Sequence, residues 1–206
     1  MNRTDFLKCI VDTGYNVGFG AKKHFATYDL VEKSPGWISF LSIAFGIYSL
    51  AFKELSTNFL SASFTILGVV GLYISMYDAK KSEYEKAGIK LTKIYNQLRV
   101  LYYSAKSKSD SDDLTQLINK YRQLESQYYS VGLSKQILFS DWYAHYKFFW
   151  QHQIDWVDEQ KKFKFFRDKV PLSFYMFLVV LIVMTICFIY KANLSACLQF
   201  YFKSFG

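Results

Sequence analysis

The chain has 206 residues, a formal net charge of +8, and a composition that is 51% hydrophobic but only 20% charged. The hydrophobic residues are concentrated in three runs that contain no charged residue, at 34–52, 55–77 and 170–190. A helix of about 20 residues is long enough to cross the hydrocarbon core of a bilayer. This distribution excludes a soluble globular domain and predicts an all-α integral membrane protein.

The first 33 residues are too polar to contain a signal peptide. Their longest uncharged run, residues 13–21, carries three glycines where a signal peptide would have an apolar core. We therefore expect residues 1–33 to be retained as a cytoplasmic segment with an amphipathic helix.

The first two hydrophobic runs predict an N-terminal transmembrane helical hairpin over residues 34–78, with a short turn at Lys53-Glu54. Each helix carries small or hydroxyl-bearing residues along one stripe. These are Ser39, Ser42, Gly46 and Ser49 in the first helix and Ser61, Thr65, Gly68 and Ser75 in the second. Such stripes are typical of close helix packing, within a hairpin or between subunits. They are also compatible with the wall of a narrow polar pore in an oligomer, and the sequence leaves both interpretations open.

Residues 79–169 form a basic, aromatic-rich region that we predict to be helical and cytoplasmic. Apolar residues recur at helical spacing on both sides of a stretch rich in serine and aspartate at 107–113. This pattern predicts a long cytoplasmic helical hairpin, and Asp113 followed by Gln116 fits a capping box that opens its second helix.

The remainder of this region contains a break and a further helix. Gly132 and Ser134 are typical of a chain break, after which residues 141–167 have the composition of one more helix. That helix would lead directly into the third hydrophobic run.

Aromatic and basic residues are mixed just before the third hydrophobic run, and this mixture prefers the headgroup level of a bilayer. We predict membrane-interface anchors here and at the start of the first span, namely Trp37, Phe163, Lys164, Phe166, Arg167 and Lys169. Two other interpretations remain for the aromatic cluster, which are packing on the cytoplasmic hairpin and a stacking platform for single-stranded nucleic acid.

The third run, residues 170–190, predicts a C-terminal transmembrane helix with Pro171 in its first turn. Of the 25 Lys and Arg residues, 5 lie in residues 1–33 and 17 in residues 79–169. By the positive-inside rule both segments are cytoplasmic, so the third crossing places the short tail 191–206 outside. The basic inner face also favours contact with anionic lipid headgroups.

The sequence offers little catalytic chemistry. Asp141, His145 and His152 could share one helix face and hold a metal ion. A structural role fits them better, because a fourth ligand or a cysteine pair is not close to them in the sequence. We predict no catalytic residue, no cofactor and no metal site, and therefore no enzyme activity.

The layout of the chain resembles that of the SLATT domains. A basic amphipathic helix at 20–33 (GAKKHFATYDLVEK) leads into a serine-bearing membrane hairpin that begins WISFLSIAFGIYS at 37–49, and a long basic helical hairpin follows at 80–129. SLATT domains are two-transmembrane effector domains associated with SMODS nucleotidyltransferases and SLOG sensors. The additional C-terminal span is similar to that of SLATT subfamilies with a third hydrophobic helix.

The resemblance implies a prokaryotic antiviral effector that oligomerises in the inner membrane and breaches it, as in abortive infection. Its trigger would be a separately encoded defence sensor, such as a nucleotidyltransferase, a nucleotide sensor or a reverse transcriptase, or a nucleotide second messenger. The alternative is a non-catalytic membrane scaffold that presents its cytoplasmic helical hairpin to a partner protein. A weaker alternative is a protein that tethers nucleic acid to the membrane, since a basic surface also attracts phosphate.

Overall fold

A computed structural model describes residues 2–52, 57–131 and 135–205, and all secondary structure in these ranges is helical. The helices are α1 (Arg3–Ala51), α2 (Asn58–Ser75), α3 (Lys81–Lys106), α4 (Thr115–Tyr129), α5 (Ser140–Gln151), α6 (Asp155–Lys161), α7 (Phe165–Asp168) and α8 (Leu172–Phe205), with a 3-10 turn at Asp78–Lys80. Three helical stretches are long and apolar enough to span a membrane, and they lie in α1, in α2 and in α8. The predicted all-α class is confirmed for the described residues, and each of the three predicted spans falls in a helix that is long and apolar enough to cross a membrane. The predicted turn Lys53-Glu54 and the break at Gly132 and Ser134 lie outside the described residues.

Helix α1 continues without a break through the expected boundary between residues 33 and 34. It begins at Asn2, whose side chain accepts a hydrogen bond from the backbone N–H of Asp5 at 2.8 Å, and it ends at the extended residue Phe52. Pro35 lies inside the helix, where a proline costs one backbone hydrogen bond. One helix therefore contains both the N-terminal segment and the first span.

The N-terminal part of α1 is the centre of a helical domain, which we define as residues 3–33 of α1 together with α3, α4, α5 and α6. Helix α3 packs chiefly against α1, and the two run antiparallel. The Arg3 guanidinium donates to the carbonyl of Lys108 at 2.8 Å, beyond the end of α3, whereas the Phe25 ring lies against Gly88 near its start. Helix α4, the predicted partner of α3, covers a smaller part of it.

The core of the helical domain is aromatic. Its largest fully buried side chains are Phe6, Tyr84, Tyr95, Tyr102, Phe148 and Trp156. Each such ring removes a large apolar area from water, which stabilises the folded domain by about 2 kcal/mol or more per side chain. This explains much of the aromatic content that the sequence concentrates in residues 79–169.

The predicted capping box at α4 is wrong, because Leu114 is the N-cap residue and no side chain caps the helix there. The Asp113 carboxylate accepts hydrogen bonds from the backbone N–H of Thr115 at 2.9 Å and from its hydroxyl at 2.6 Å. These bonds reach two residues along the chain, whereas a capping box joins its first residue to the N–H three residues on. Aspartate competes for the nearest backbone donors in this way at many helix starts.

The predicted single helix at 141–167 is wrong, because the chain forms the three short helices α5, α6 and α7 in this region. Helix α5 ends where His152 becomes extended, and α6 ends where Lys162 adopts a left-handed conformation with φ of 50°. The first of these turns lies between Phe148 and Trp156, and both side chains reach the core that α1 and α3 form.

The residues Phe163–Gly206 form a second compact unit that contains α7 and α8. Pro171 immediately precedes α8, one residue before the predicted position inside the first turn. The hydroxyl of Tyr175 donates to the carbonyl of Phe166 at 2.8 Å and ties the start of α8 to α7. Most of the large apolar side chains of α8 from Leu172 to Tyr190 are exposed, and the helix continues to Phe205 through the expected tail.

Candidate functional site

The first two spans contact each other along one face of each helix. On α2 this face contains Leu67, which is half-buried, and Ile74, which is buried. The rings of Phe45 on α1 and Phe64 on α2 meet edge to face, with centroids 5.8 Å apart. Most of the other described residues of both spans are exposed.

The four residues of the α2 stripe, Ser61, Thr65, Gly68 and Ser75, are all exposed. They lie about 100° around the helix from the face that contacts α1, since successive residues advance by that angle. A Cβ atom added to Gly68 would meet nothing within 4 Å. Packing between the two spans of one hairpin therefore does not account for the small residues of this stripe.

The α1 stripe is placed differently. Ser42 and Ser49 are half-buried at the edge of the contact with α2, whereas Ser39 and Gly46 are exposed. A Cβ atom added to Gly46 would also meet nothing within 4 Å. The α1 stripe is thus divided between the hairpin contact and the open surface.

Four of the stripe hydroxyls, those of Ser49, Ser61, Thr65 and Ser75, donate to backbone carbonyls at most four residues earlier in the chain. Thr65 donates to Ser61 at 3.0 Å, Ser75 to Leu72 at 2.8 Å and Ser49 to Gly46 at 2.8 Å. Their donors are satisfied inside an apolar environment, where an unpaired hydroxyl would be costly. Each hydroxyl oxygen can still accept a hydrogen bond from water or from another helix.

The predicted interface anchors fall into both compact units. Trp37, at the start of the first span, is 64% exposed. In the second unit, Phe166 is exposed and the Arg167 guanidinium pairs with Asp168. The exposed Lys164 donates its backbone N–H to the same carboxylate. Phe163 and Lys169 are half-buried.

A segment that sequence reasoning missed, residues 135–139, connects the helical domain to the spans. We call it the clasp. Its Gln136 side chain accepts a hydrogen bond from the Thr27 hydroxyl of α1 and lies 3.3 Å from the ring nitrogen of His24. Leu138 donates its backbone N–H to the Tyr73 hydroxyl of α2 at 3.2 Å.

The clasp also carries two large apolar side chains that are exposed on the surface. Leu138 and Phe139 are 63% and 57% exposed, whereas Ile137 is buried. Phe139 has a φ of 67°, a left-handed conformation that is strained for a residue with a bulky side chain. The signal in the sequence is the apolar triplet Ile137-Leu138-Phe139 directly after an expected chain break.

The three residues considered as metal ligands each have another partner. The Asp141 carboxylate pairs with the Lys23 ammonium at 2.7 Å. The His145 ring packs against Phe19 with centroids 5.2 Å apart, and the His152 ring packs against Tyr95 at 4.6 Å. No group of three or more potential metal ligands occurs among the residues that the structure describes.

The helical domain holds two partly buried histidines, His24 and His152, that lie near basic side chains. Burial, followed by the nearby Lys23 ammonium, lowers the pKa of His24 to about 4. Burial, followed by the charges of Lys22 and Arg99, lowers the pKa of His152 to about 4 as well. Both imidazoles therefore stay neutral in the folded domain at pH values where an unfolded chain protonates them.

We expect the stability of the helical domain to fall as the pH drops from 6.5 towards 4. In this window the unfolded chain binds protons at His24 and His152, whereas the folded chain does not. The stability that the two neutral imidazoles contribute is therefore complete above pH 6.5, and it decreases as the pH falls towards the folded-state pKa of about 4. Thermal unfolding of the detergent-solubilised protein, followed by circular dichroism from pH 7.5 to 4.5, measures the slope. The double substitution His24→Gln and His152→Gln should flatten it, and an unchanged slope would contradict this assignment.

The described residues are helical, three of their helices are membrane-capable, and a helical domain is continuous with the first of these, which together define a helical membrane protein. The chain belongs to the SLATT family, since the family model described as SMODS and SLOG-associating 2TM effector domain 6 matches residues 1–178. The match covers the helical domain and the first two membrane-capable helices, and it ends inside α8. No curated protein and no solved structure matches the chain. The family confirms the resemblance seen in the sequence and implies a membrane effector of a defence system.

Proposed function

We propose that the protein is an oligomeric, pore-forming effector that permeabilises the inner membrane in antiviral defence. The observation that carries this proposal is the outward position of the α2 stripe. A row of exposed hydroxyl and glycine positions lies on α2, about 100° around the helix from the face that contacts α1. In an oligomer this row would form close helix contacts or the wall of a narrow polar pore.

We assign the pore wall to α2 and a supporting position to α1. The hydroxyls of Ser42 and Ser49 lie at the edge of the contact with α2, so the α1 stripe has less free surface. On α2 the stripe extends from Ser61 to Ser75 with every member exposed. Hydroxyl oxygens along that length would replace part of the hydration of a passing solute.

The proposed orientation places the helical domain in the cytoplasm and the C-terminal tail outside. The supporting observation is charge, because 22 of the 25 basic residues lie in residues 1–33 and 79–169. In this orientation the trigger reaches the helical domain from the cytoplasm, either as a separately encoded sensor protein or as a nucleotide second messenger. Loss of the membrane barrier then kills the infected cell before the virus multiplies, which is abortive infection.

The geometry supports a route from trigger to pore. Helix α1 passes from the helical domain into the membrane as one helix, so a movement of residues 3–33 moves the first span. The clasp contacts both α1 and α2 through Gln136 and Leu138. A partner that displaces the helical domain would thus act on both spans of the hairpin.

We expect vesicles of phosphatidylglycerol and phosphatidylcholine to release a small trapped dye when the purified full-length protein is added. The same vesicles should retain a large trapped dextran. A size limit is the expected result for a defined pore, whereas general disruption of the bilayer releases both solutes. The assay is repeated with an extract of cells that contain the trigger, and insertion of the protein is confirmed separately. If the vesicles with inserted protein still retain all of the small dye, the result contradicts pore formation.

A chimaera separates this function from the scaffold alternative. Replacing residues 34–78 by an unrelated membrane hairpin should abolish both leakage and toxicity in cells if the spans form the pore. Full activity of the chimaera in cells would instead indicate that the spans only hold the helical domain at the membrane.

A further inference from the structure

An apolar cavity of about 410 Å³ lies where α1, α2 and the clasp meet. Ile38 and Leu41 line it from α1, Leu67 from α2, and Leu138 and Phe139 from the clasp. Its size is within the range of cavities that bind small ligands. All of these elements belong to the same compact unit, so the cavity is a feature of the hairpin and the helical domain.

The lining of the cavity selects an apolar ligand. Its side-chain hydroxyls are those of Ser34 and Tyr73, and the Tyr73 hydroxyl already accepts from Leu138 and lies 3.3 Å from the hydroxyl of Tyr77. A polar ligand would lose its hydration here with few hydrogen bonds in return. Water gains little in such a cavity for the same reason.

The position of the cavity identifies the source of that ligand. It lies at the end of the two spans that adjoins the helical domain, and exposed Trp37, Leu138 and Phe139 are part of its lining. Aromatic side chains at the end of a span typically lie at the headgroup level of a bilayer. The cavity therefore lies next to the acyl chains of one leaflet.

The charge beside the cavity favours an anionic lipid. Trp37 also lines an adjoining open groove, together with Lys33 and Gly36. The Lys33 side chain is 63% exposed, and its ammonium shares the carboxylate of Asp29 with the ammonium of Lys147. Two ammonium groups on one carboxylate leave a net positive charge, which can be neutralised by a phosphate.

We propose that this cavity binds one acyl chain of an anionic phospholipid whose phosphate lies at Lys33. The site is distinct from the α2 stripe, and it requires only that the hairpin span a membrane. It therefore stands whether or not the protein forms a pore. Bound lipid would fill the junction between the spans and the clasp.

Native mass spectrometry of the full-length protein, released from bilayers of equal parts phosphatidylglycerol and phosphatidylcholine, tests the site. We expect one retained phosphatidylglycerol per chain in preference to phosphatidylcholine. Lys33→Gln should reduce that preference about fivefold, the size expected for one lysine near an anionic surface. Equal retention of the two lipids by the unmodified protein would overturn the role of the charge.

Filling the cavity tests the acyl chain separately. Leu67→Trp, or the milder Val70→Phe, should remove the retained lipid, whereas Leu50→Trp at a position 88% exposed on α1 should keep it. Circular dichroism identifies a variant that fails to fold. If one of the two cavity variants does not fold, the lipid retained by the other one tests the site. Retained lipid in a folded cavity variant would overturn the proposal. A changed oligomer size with unchanged lipid would instead assign the cavity to a second copy of the chain.

Discussion

Substitution Gly68→Leu is expected to abolish membrane permeabilisation while the amount of inserted protein stays unchanged. Within the chain the change is harmless, because a Cβ at residue 68 meets nothing within 4 Å and leucine favours a helix by up to about 1 kcal/mol over glycine. In the proposed oligomer a leucine on the α2 stripe blocks close helix contact or narrows the pore. Dye release should fall to the level seen with vesicles that contain dye but no protein.

The matched control is Ala62→Leu. Ala62 is exposed on the same helix but lies about 100° around it from Ser61 and the rest of the stripe. It adds bulk to the lipid-facing surface, and it should leave dye release unchanged. Equal losses in the two variants would mean that any added bulk on α2 is harmful, and full activity of Gly68→Leu would exclude the α2 stripe from the pore and from the subunit contact.

The three spans were predictable because charge is almost absent from the centre of a membrane helix. Long apolar runs without Asp, Glu, Lys or Arg therefore indicate segments that lie in lipid. The continuity of α1 was not predictable in the same way, because Pro35 and Gly36 are both typical of helix ends. One lost backbone hydrogen bond is a small cost when packed or lipid-facing residues on both sides favour the helix.

The stripe residues were predictable from spacing, but the contact that each makes was not. Hydroxyl and glycine positions on α1 and α2 look alike in sequence, and only the packing of the hairpin separates half-buried Ser42 from exposed Thr65. The clasp was hidden for a related reason. Its hydrogen bonds join Gln136 and Leu138 to residues more than 60 positions away, and no local pattern records such pairs.

Gly18 illustrates how the meaning of a local pattern depends on tertiary packing. The sequence has glycines at 14, 18 and 20, and their spacing does not show which of them is tightly packed. In the structure Gly18 lies directly under two aromatic rings. A Cβ at this position would lie 2.8 Å from the ring of Tyr95 and 2.9 Å from the ring of Phe148. Both rings are fully buried.

The Tyr95 ring cannot move aside easily. Its hydroxyl donates to the carbonyl of Gln153 at 3.0 Å and accepts from the indole N–H of Trp156 at 2.9 Å. We therefore expect Gly18→Ala to lower the free energy of unfolding of the helical domain by about 1–3 kcal/mol, the usual cost of overpacking. Thermal or denaturant unfolding of the solubilised protein measures the change.

Gly20→Ala is the matched control in the same turn of α1, and its expected effect has the opposite sign. The nearest atom to a Cβ at residue 20 is in the Leu91 side chain at 3.6 Å, an ordinary van der Waals distance. Without a clash, alanine should stabilise the helix by up to about 1 kcal/mol, because glycine loses more backbone entropy on folding. If both variants gained stability, the rings above Gly18 would have room to shift, and the close packing of α1 against α3 and α5 would not depend on this glycine.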